Sequence, residues 1–133
     1  MGIFDVFRKK KLTADISFDP IPPREHITVE TAAGVMEDPT AAELETNLRI
    51  MLEDASGFLT LTPVQAVGGI RYMQACRIPE GVNVQLGLEK EGRIRLVEKA
   101  VDEETALRLF RSYFCGKTDI DIGGYAPVKF MKR

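Results

Sequence analysis

The chain has 133 residues, of which 44% are hydrophobic and 29% charged, and a formal net charge of −2. That length suits one domain able to form its core without cross-links or metal, and the composition is globular rather than disordered or membrane-embedded. The slightly acidic total gives no electrostatic reason to expect nucleic acid as a partner. Two cysteines, Cys76 and Cys115, read as buried thiols in a reducing, cytoplasmic setting.

The first twelve residues depart from this composition: Ile3, Phe4 and Phe7 precede the run Arg8, Lys9, Lys10, Lys11. A secretory signal carries its charges ahead of a longer apolar run, and Val6 stands where a myristoylation motif wants Ser or Thr. Two readings remain, a loosely docked N-terminal turn and a short amphipathic foot on a membrane surface, with the basic cluster over anionic headgroups. Pro20, Pro22 and Pro23 then mark an extended tether. Residues 1–24 are thus expected to form an N-terminal basic amphipathic segment and Pro-rich tether, and 25–133 a single α+β domain.

Residues 26–31 alternate and predict a short edge strand. His26, the sole histidine, has no nucleophile beside it and reads as a surface residue. A helix is predicted over 40–55, where Thr40 and Glu43 make a capping box and Leu44, Leu48 and Met51 lie on one stripe. Four strand-like runs follow, at 58–62, 70–77, 82–88 and 94–100, separated by Pro and Gly punctuation. In the third, Val82, Val84, Leu86 and Leu88 share one face and Asn83, Gln85 and Gly87 the other. A second helix is predicted over 102–115, with Asp102 as its N-cap, Gly116 beyond its end, and Leu107, Phe110 and Phe114 turned to the sheet. Residues 119–124 read as a loop and 125–131 as a last strand. The expected fold is an α+β antiparallel meander of four to six strands with both helices packed on one face, its core drawing Ile94 and Leu96 against Phe110 and Phe114.

Motifs that would carry chemistry fail on inspection. Gly116-Lys117-Thr118 resembles the end of a phosphate-binding loop, but Arg111 occupies the position of its first glycine and the stretch follows a helix instead of opening one. Asp119 to Gly123 begins like a calcium loop, with Phe130 where the bidentate glutamate belongs. The sequence contains no CxxC, HExxH or GxSxG. Neither a metal nor a cofactor is therefore expected, nor a catalytic residue.

If the apolar positions of the central strands face the helices, the opposite face collects Arg71, Arg77, Asn83, Gln85, Arg95 and Lys99 around Met73 and Val97. Its charges would all be basic, a surface complementary to an acidic protein partner. The order helix, meander, then Val-Asp-Glu-Glu-Thr-Ala-Leu-Arg-Leu-Phe-Arg-Ser-Tyr-Phe-Cys-Gly at 101–116 and a short terminal strand resembles small bacterial α+β proteins. Some of these are similar to immunity proteins of polymorphic toxin systems, and the opening Met-Gly-Ile-Phe-Asp-Val-Phe-Arg-Lys-Lys-Lys is a start shared with small bacterial proteins. The resemblance covers about residues 40–130 and rests on element order and spacing. With no catalytic constellation, a single-domain size and a mixed-polarity sheet face, the chain reads as a protein-binding module that occludes a protein partner, either an immunity-type inhibitor, as the resemblance implies, or a chaperone-like protein, as a monomer or homodimer. The alternative is a small-molecule binder or enzyme with a pocket between helix 40–55 and the sheet, walled by Tyr72, Tyr113 or Cys76.

Overall fold

The computed structural model describes residues 27–54 and 57–128. The basic segment, the tether, His26, Ala55 at the end of the first predicted helix and positions 129–131 of the last predicted strand lie outside the described residues. The elements in order are β1 (Ile27–Thr31), β2 (Gly34–Glu37), α1 (Ala41–Leu52), β3 (Phe58–Pro63), β4 (Ile70–Ile78), β5 (Gly81–Lys90), β6 (Arg93–Val101), α2 (Glu103–Phe114) and β7 (Ala126–Pro127). All seven strands form one antiparallel sheet in the order β2-β1-β3-β4-β5-β6-β7.

The α+β class, the meander and the two helices agree with the sequence reading, and the strand count exceeds it. The additional strand is β2, whose four residues fold back on β1 through a two-residue turn at Ala32 and Ala33. Consequently β1 is not an edge strand, because β2 covers its outer side and β3 its inner side. Asp38 closes this hairpin: its backbone N–H donates to the Ile27 carbonyl at 2.8 Å and its carboxylate accepts from the Ile27 N–H at 3.1 Å.

Both helices start where side-chain chemistry satisfies their first backbone N–H groups. The Thr40 hydroxyl accepts from the Glu43 N–H at 3.1 Å while the Glu43 carboxylate accepts from the Thr40 N–H at 2.8 Å, completing the capping box of α1. Asp102 accepts from the Thr105 N–H at 2.8 Å at the start of α2. At the other end Gly116 takes φ +83°, and Gly116 N–H and Lys117 N–H donate to the carbonyls of Tyr113 and Ser112. That is a complete Schellman closure, and it needs the left-handed backbone glycine adopts without cost.

The core lies between the helices and one sheet face. Leu44, Leu48 and Met51 of α1 and Ala106, Phe110, Tyr113 and Phe114 of α2 pack with Ile27, Val29, Leu59, Leu61, Ile70, Met73, Ala75, Val82, Val84, Leu86 and Val97. Tyr113 is buried because its hydroxyl has a partner, donating to the Ile70 carbonyl at 2.6 Å. The two helices are also joined by charge. Arg111, buried to 4% exposure, pairs with Glu45 of α1, which also accepts from Arg49 at 2.8 Å. Burial alone would raise the Glu45 carboxyl, but the Arg49 hydrogen bond and the Arg111 charge outweigh it and hold the group below its ordinary value.

Candidate functional site

Strand parity, fixed by turn length, decides which side chains share a face. The β5–β6 hairpin turns on two residues, Glu91 and Gly92, both at positive φ (+54° and +77°), so Lys90 pairs with Arg93. This is the geometry of a type I′ hairpin. It sets even-numbered positions of β5 opposite odd-numbered positions of β6: Val82 with Val101, Val84 with Lys99, Leu86 with Val97 and Leu88 with Arg95. The β4–β5 turn also has two residues, Pro79 and Glu80, and sets Arg77 opposite Val82 and Met73 opposite Leu86. The faces of β6 are therefore the reverse of those expected from its sequence. Ile94, Leu96 and Ala100 lie with Asn83 and Gln85, whereas Arg95 and Lys99 lie on the helix-bearing side.

The six predicted partner-binding residues consequently do not form one surface. Asn83 and Gln85 occupy the sheet face away from the helices. Arg77 is on the helix side and pairs with Glu103 in the first turn of α2. Lys99, also on that side, donates to the Gly123 carbonyl at 3.2 Å and stands 5.7 Å from the centre of the Tyr125 ring, holding the loop that leads into β7. Arg95 is exposed beside them. Arg71 occupies the bulge between the Ile70 and Tyr72 pairings, where its guanidinium donates at 3.0 Å to the carbonyls of both Pro63 and Val64. It fastens the β3–β4 connection. Met73 and Val97, expected at the centre of the polar face, are core residues at 0% and 3% exposure.

What lies opposite the helices is a different surface, built in rows across the strands. The middle row runs Val35, Glu30, Thr60, Gln74, Gln85, Glu98, Ala126, one residue from each of the seven strands. Its centre is a lateral hydrogen-bond ladder. Thr60 donates to Gln74 at 2.9 Å, and Glu98 accepts from Asn83 at 3.1 Å and Gln85 at 3.3 Å through one oxygen. On one side is the row Phe58, Cys76, Asn83, Ala100, and on the other Tyr72, Gly87, Leu96. Tyr72 lies flat on Gly87, where an added Cβ would come within 2.5 Å of the ring. Phe58, Tyr72 and Leu96 are half-exposed, and Ile94 and Val35 are 51% and 63% exposed.

The charges of this open face are acidic. Glu30, Glu37, Glu89 and Glu98 alternate onto it by register, and no Lys or Arg of a regular strand position does so among the described residues. Arg71 approaches its rim from the bulge, 4.0 Å from Glu89. Burial, with the Glu98 carboxylate nearby, pushes the Cys76 thiol above its ordinary value, so the group stays protonated and weakly nucleophilic. Neither cysteine is in a disulfide, since Cys76 is on the open face and Cys115 caps α2 on the other side.

The alternative pocket between α1 and the sheet is not assembled from the residues expected for it. Tyr72 and Cys76 are on the far side of the sheet, and Tyr113 is buried in the core with its hydroxyl engaged. A cleft lined by Val29, Thr31, Ala33, Gly34, Val35, Met36 and Asn47 does open between the β1–β2 hairpin and α1, with a volume of about 150 Å³. A second, of about 290 Å³, lies between the outer face of α2 and the loop at Lys117 to Asp121. The first falls below the roughly 300–1,000 Å³ usual for small-molecule sites and the second stands at its lower edge. No three metal-ligating side chains are grouped among the described residues, and no described helix is long and apolar enough to cross a membrane. Comparison of the chain with protein-family models, with curated sequences and with solved structures finds no match.

Proposed function

We propose that this chain is a protein-binding module that seats its open sheet face on a basic protein partner and acts by occlusion. The observation that carries the reading is the pattern of that face: half-exposed Phe58, Tyr72 and Leu96 flank an amide and hydroxyl ladder, and the strand-borne charges around them are four carboxylates. Seven strands about 4.8 Å apart and about five residues long present roughly 600 Å² in projection, close to the ~800 Å² per partner of a standard interface. Apolar rows supply area, the ladder supplies directional contacts, and the carboxylates select a basic surface.

The sign of the charge revises the partner inferred from sequence, from acidic to basic. Two aromatics on an open sheet also suit base stacking, but carboxylates repel phosphates and argue against nucleic acid as the occupant. The immunity-type reading implied by the resemblance fits this electrostatic pattern, because an inhibitor covering a basic substrate cleft needs an acidic face. The test is co-purification of the chain with the products of adjacent reading frames, parent against the double substitution Glu30→Lys and Glu89→Lys. The expected result is a basic partner whose association slows at least tenfold at low salt in the variant while the melting temperature holds, since exposed charges add little to stability. Unchanged association and salt dependence would sink the proposal.

A further inference from the structure

The basic amphipathic segment at residues 1–12 and the acidic amphipathic sheet face are complementary parts of one chain. The segment carries Ile3, Phe4 and Phe7 followed by four consecutive cations at Arg8 to Lys11, against a single carboxylate, Asp5. The face offers half-exposed Phe58, Tyr72 and Leu96 bordered by Glu30, Glu37, Glu89 and Glu98. We propose that residues 1–12 occupy the open face in cis and compete there with the basic partner, so that the chain carries its own displaceable blocker. This inference rests on the reading of that face as a docking surface for basic protein.

Chain length permits it. Between Leu12 and Ile27 at the start of β1 there are fourteen residues, which extend to about 46 Å at most. The carboxylates span from Glu37 on β2, one strand outside β1, to Glu98 on β6, four inter-strand steps inward. Four steps amount to about 19 Å, so every carboxylate is within reach. Tethering sets an effective concentration of order millimolar; a segment with only millimolar intrinsic affinity would then cover the face about half the time, and a tighter partner would displace it. A second copy of the chain is the less suitable occupant, because two such faces would oppose carboxylate to carboxylate.

The full chain is compared by NMR with a variant carrying Arg8→Glu, Lys9→Glu, Lys10→Glu and Lys11→Glu, and each is titrated with a synthetic peptide of residues 1–12. The expected result is that shift differences between parent and variant cluster at Thr60, Gln74, Gln85 and Leu96 and leave Leu44, Leu48 and Phe110 unmoved. The peptide should bind the variant at that face at least about twofold more tightly than it binds the parent, the factor set by a segment that covers the face half the time. Equal peptide binding to both, with identical face resonances, would overturn the intramolecular blocker while leaving the docking reading intact. Peptide binding to neither would overturn both. Co-sedimentation of the parent with phosphatidylserine vesicles that depends on the basic cluster, with face resonances unmoved, would assign the segment to a lipid surface and also overturn the inference.

Discussion

At the scale of single residues, the placement of charge separates side chains that build the fold from those free to act. Arg71, Arg77 and Lys99 are all committed to intramolecular work, at the β3–β4 connection, the start of α2 and the loop before β7 respectively. Glu45 is the clearest structural charge, since it joins α1 to the buried Arg111. Burial raises its carboxyl, yet the Arg49 hydrogen bond and the Arg111 charge outweigh that cost, and the group titrates below the ordinary 4.5. A carboxyl whose folded value lies below its unfolded one stabilises the protein above the unfolded value, and that contribution disappears as pH falls through the folded one. Glu45→Gln should therefore cost about 1–2 kcal/mol at pH 7, discounted for the partial exposure of Glu45. The difference in denaturation midpoint between parent and variant should narrow as pH falls below the ordinary 4.5 and close once the lowered folded value is passed. A gap that persists unchanged at low pH would place the stabilisation in packing.

At the scale of elements, the β5–β6 hairpin governs the molecule's surface chemistry. Its type I′ turn places Glu91, a residue with a Cβ, at φ +54°, where asparagine or glycine is preferred. Glu91→Asn should stabilise the fold by about 0.5–1 kcal/mol, read as a higher denaturant midpoint with unaltered slope. A lower midpoint would mean that the glutamate contributes something beyond the turn. The same hairpin explains what was legible in the sequence. Both helices and the four central strands were, because caps, glycines and alternation agree there. The faces of β6 were not, because its apolar residues fall at 94, 96 and 100 on one parity and at 97 and 101 on the other. Taking the apolar set at 94, 96 and 100 for the core face chose the wrong parity, because an even-length turn after β5 sets the odd positions of β6 opposite Val84 and Leu86. Likewise the bulge at Arg71 changes parity within β4, so that Ile70 and Met73 are both core residues. β2 was missed because Gly-Val-Met-Glu is too short to show a period, and its existence depends on pairing with β1. The open face was thus readable in its residues and unreadable in its membership, and its charge came out with the opposite sign.

At the scale of the whole molecule, a sheet with one face packed and one open must avoid pairing with its own copies. Phe58, Tyr72, Leu96 and Ile94 offer an apolar strip that two molecules would bury face to face, as the two layers of a β-sandwich do. The carboxylates of Glu30, Glu37, Glu89 and Glu98 oppose this, since any symmetric apposition brings two acidic sets together. Each like-charged pair within about 4–8 Å costs roughly 0.5–1 kcal/mol even at the dielectric of water, and four carboxylates on each face create several such pairs. Neutralising them should remove the barrier and leave the strip. Acidification is a poor way to show it, because it also protonates Glu45 and weakens the helix pair. The isosteric variant Glu30→Gln, Glu37→Gln, Glu89→Gln separates the two effects, and it spares Glu98, which holds Asn83 and Gln85. By sedimentation velocity at pH 7 the parent should remain monomeric into the 100 μM range, whereas the triple variant should show a concentration-dependent dimer, with helix content unaltered by circular dichroism. Addition of Phe58→Ser to the triple variant should return it to monomer, because the strip drives association once repulsion is gone. A triple variant that stays monomeric would show that the strip is too small, or already covered, to drive pairing, and that the carboxylates are not what keeps the chain monomeric.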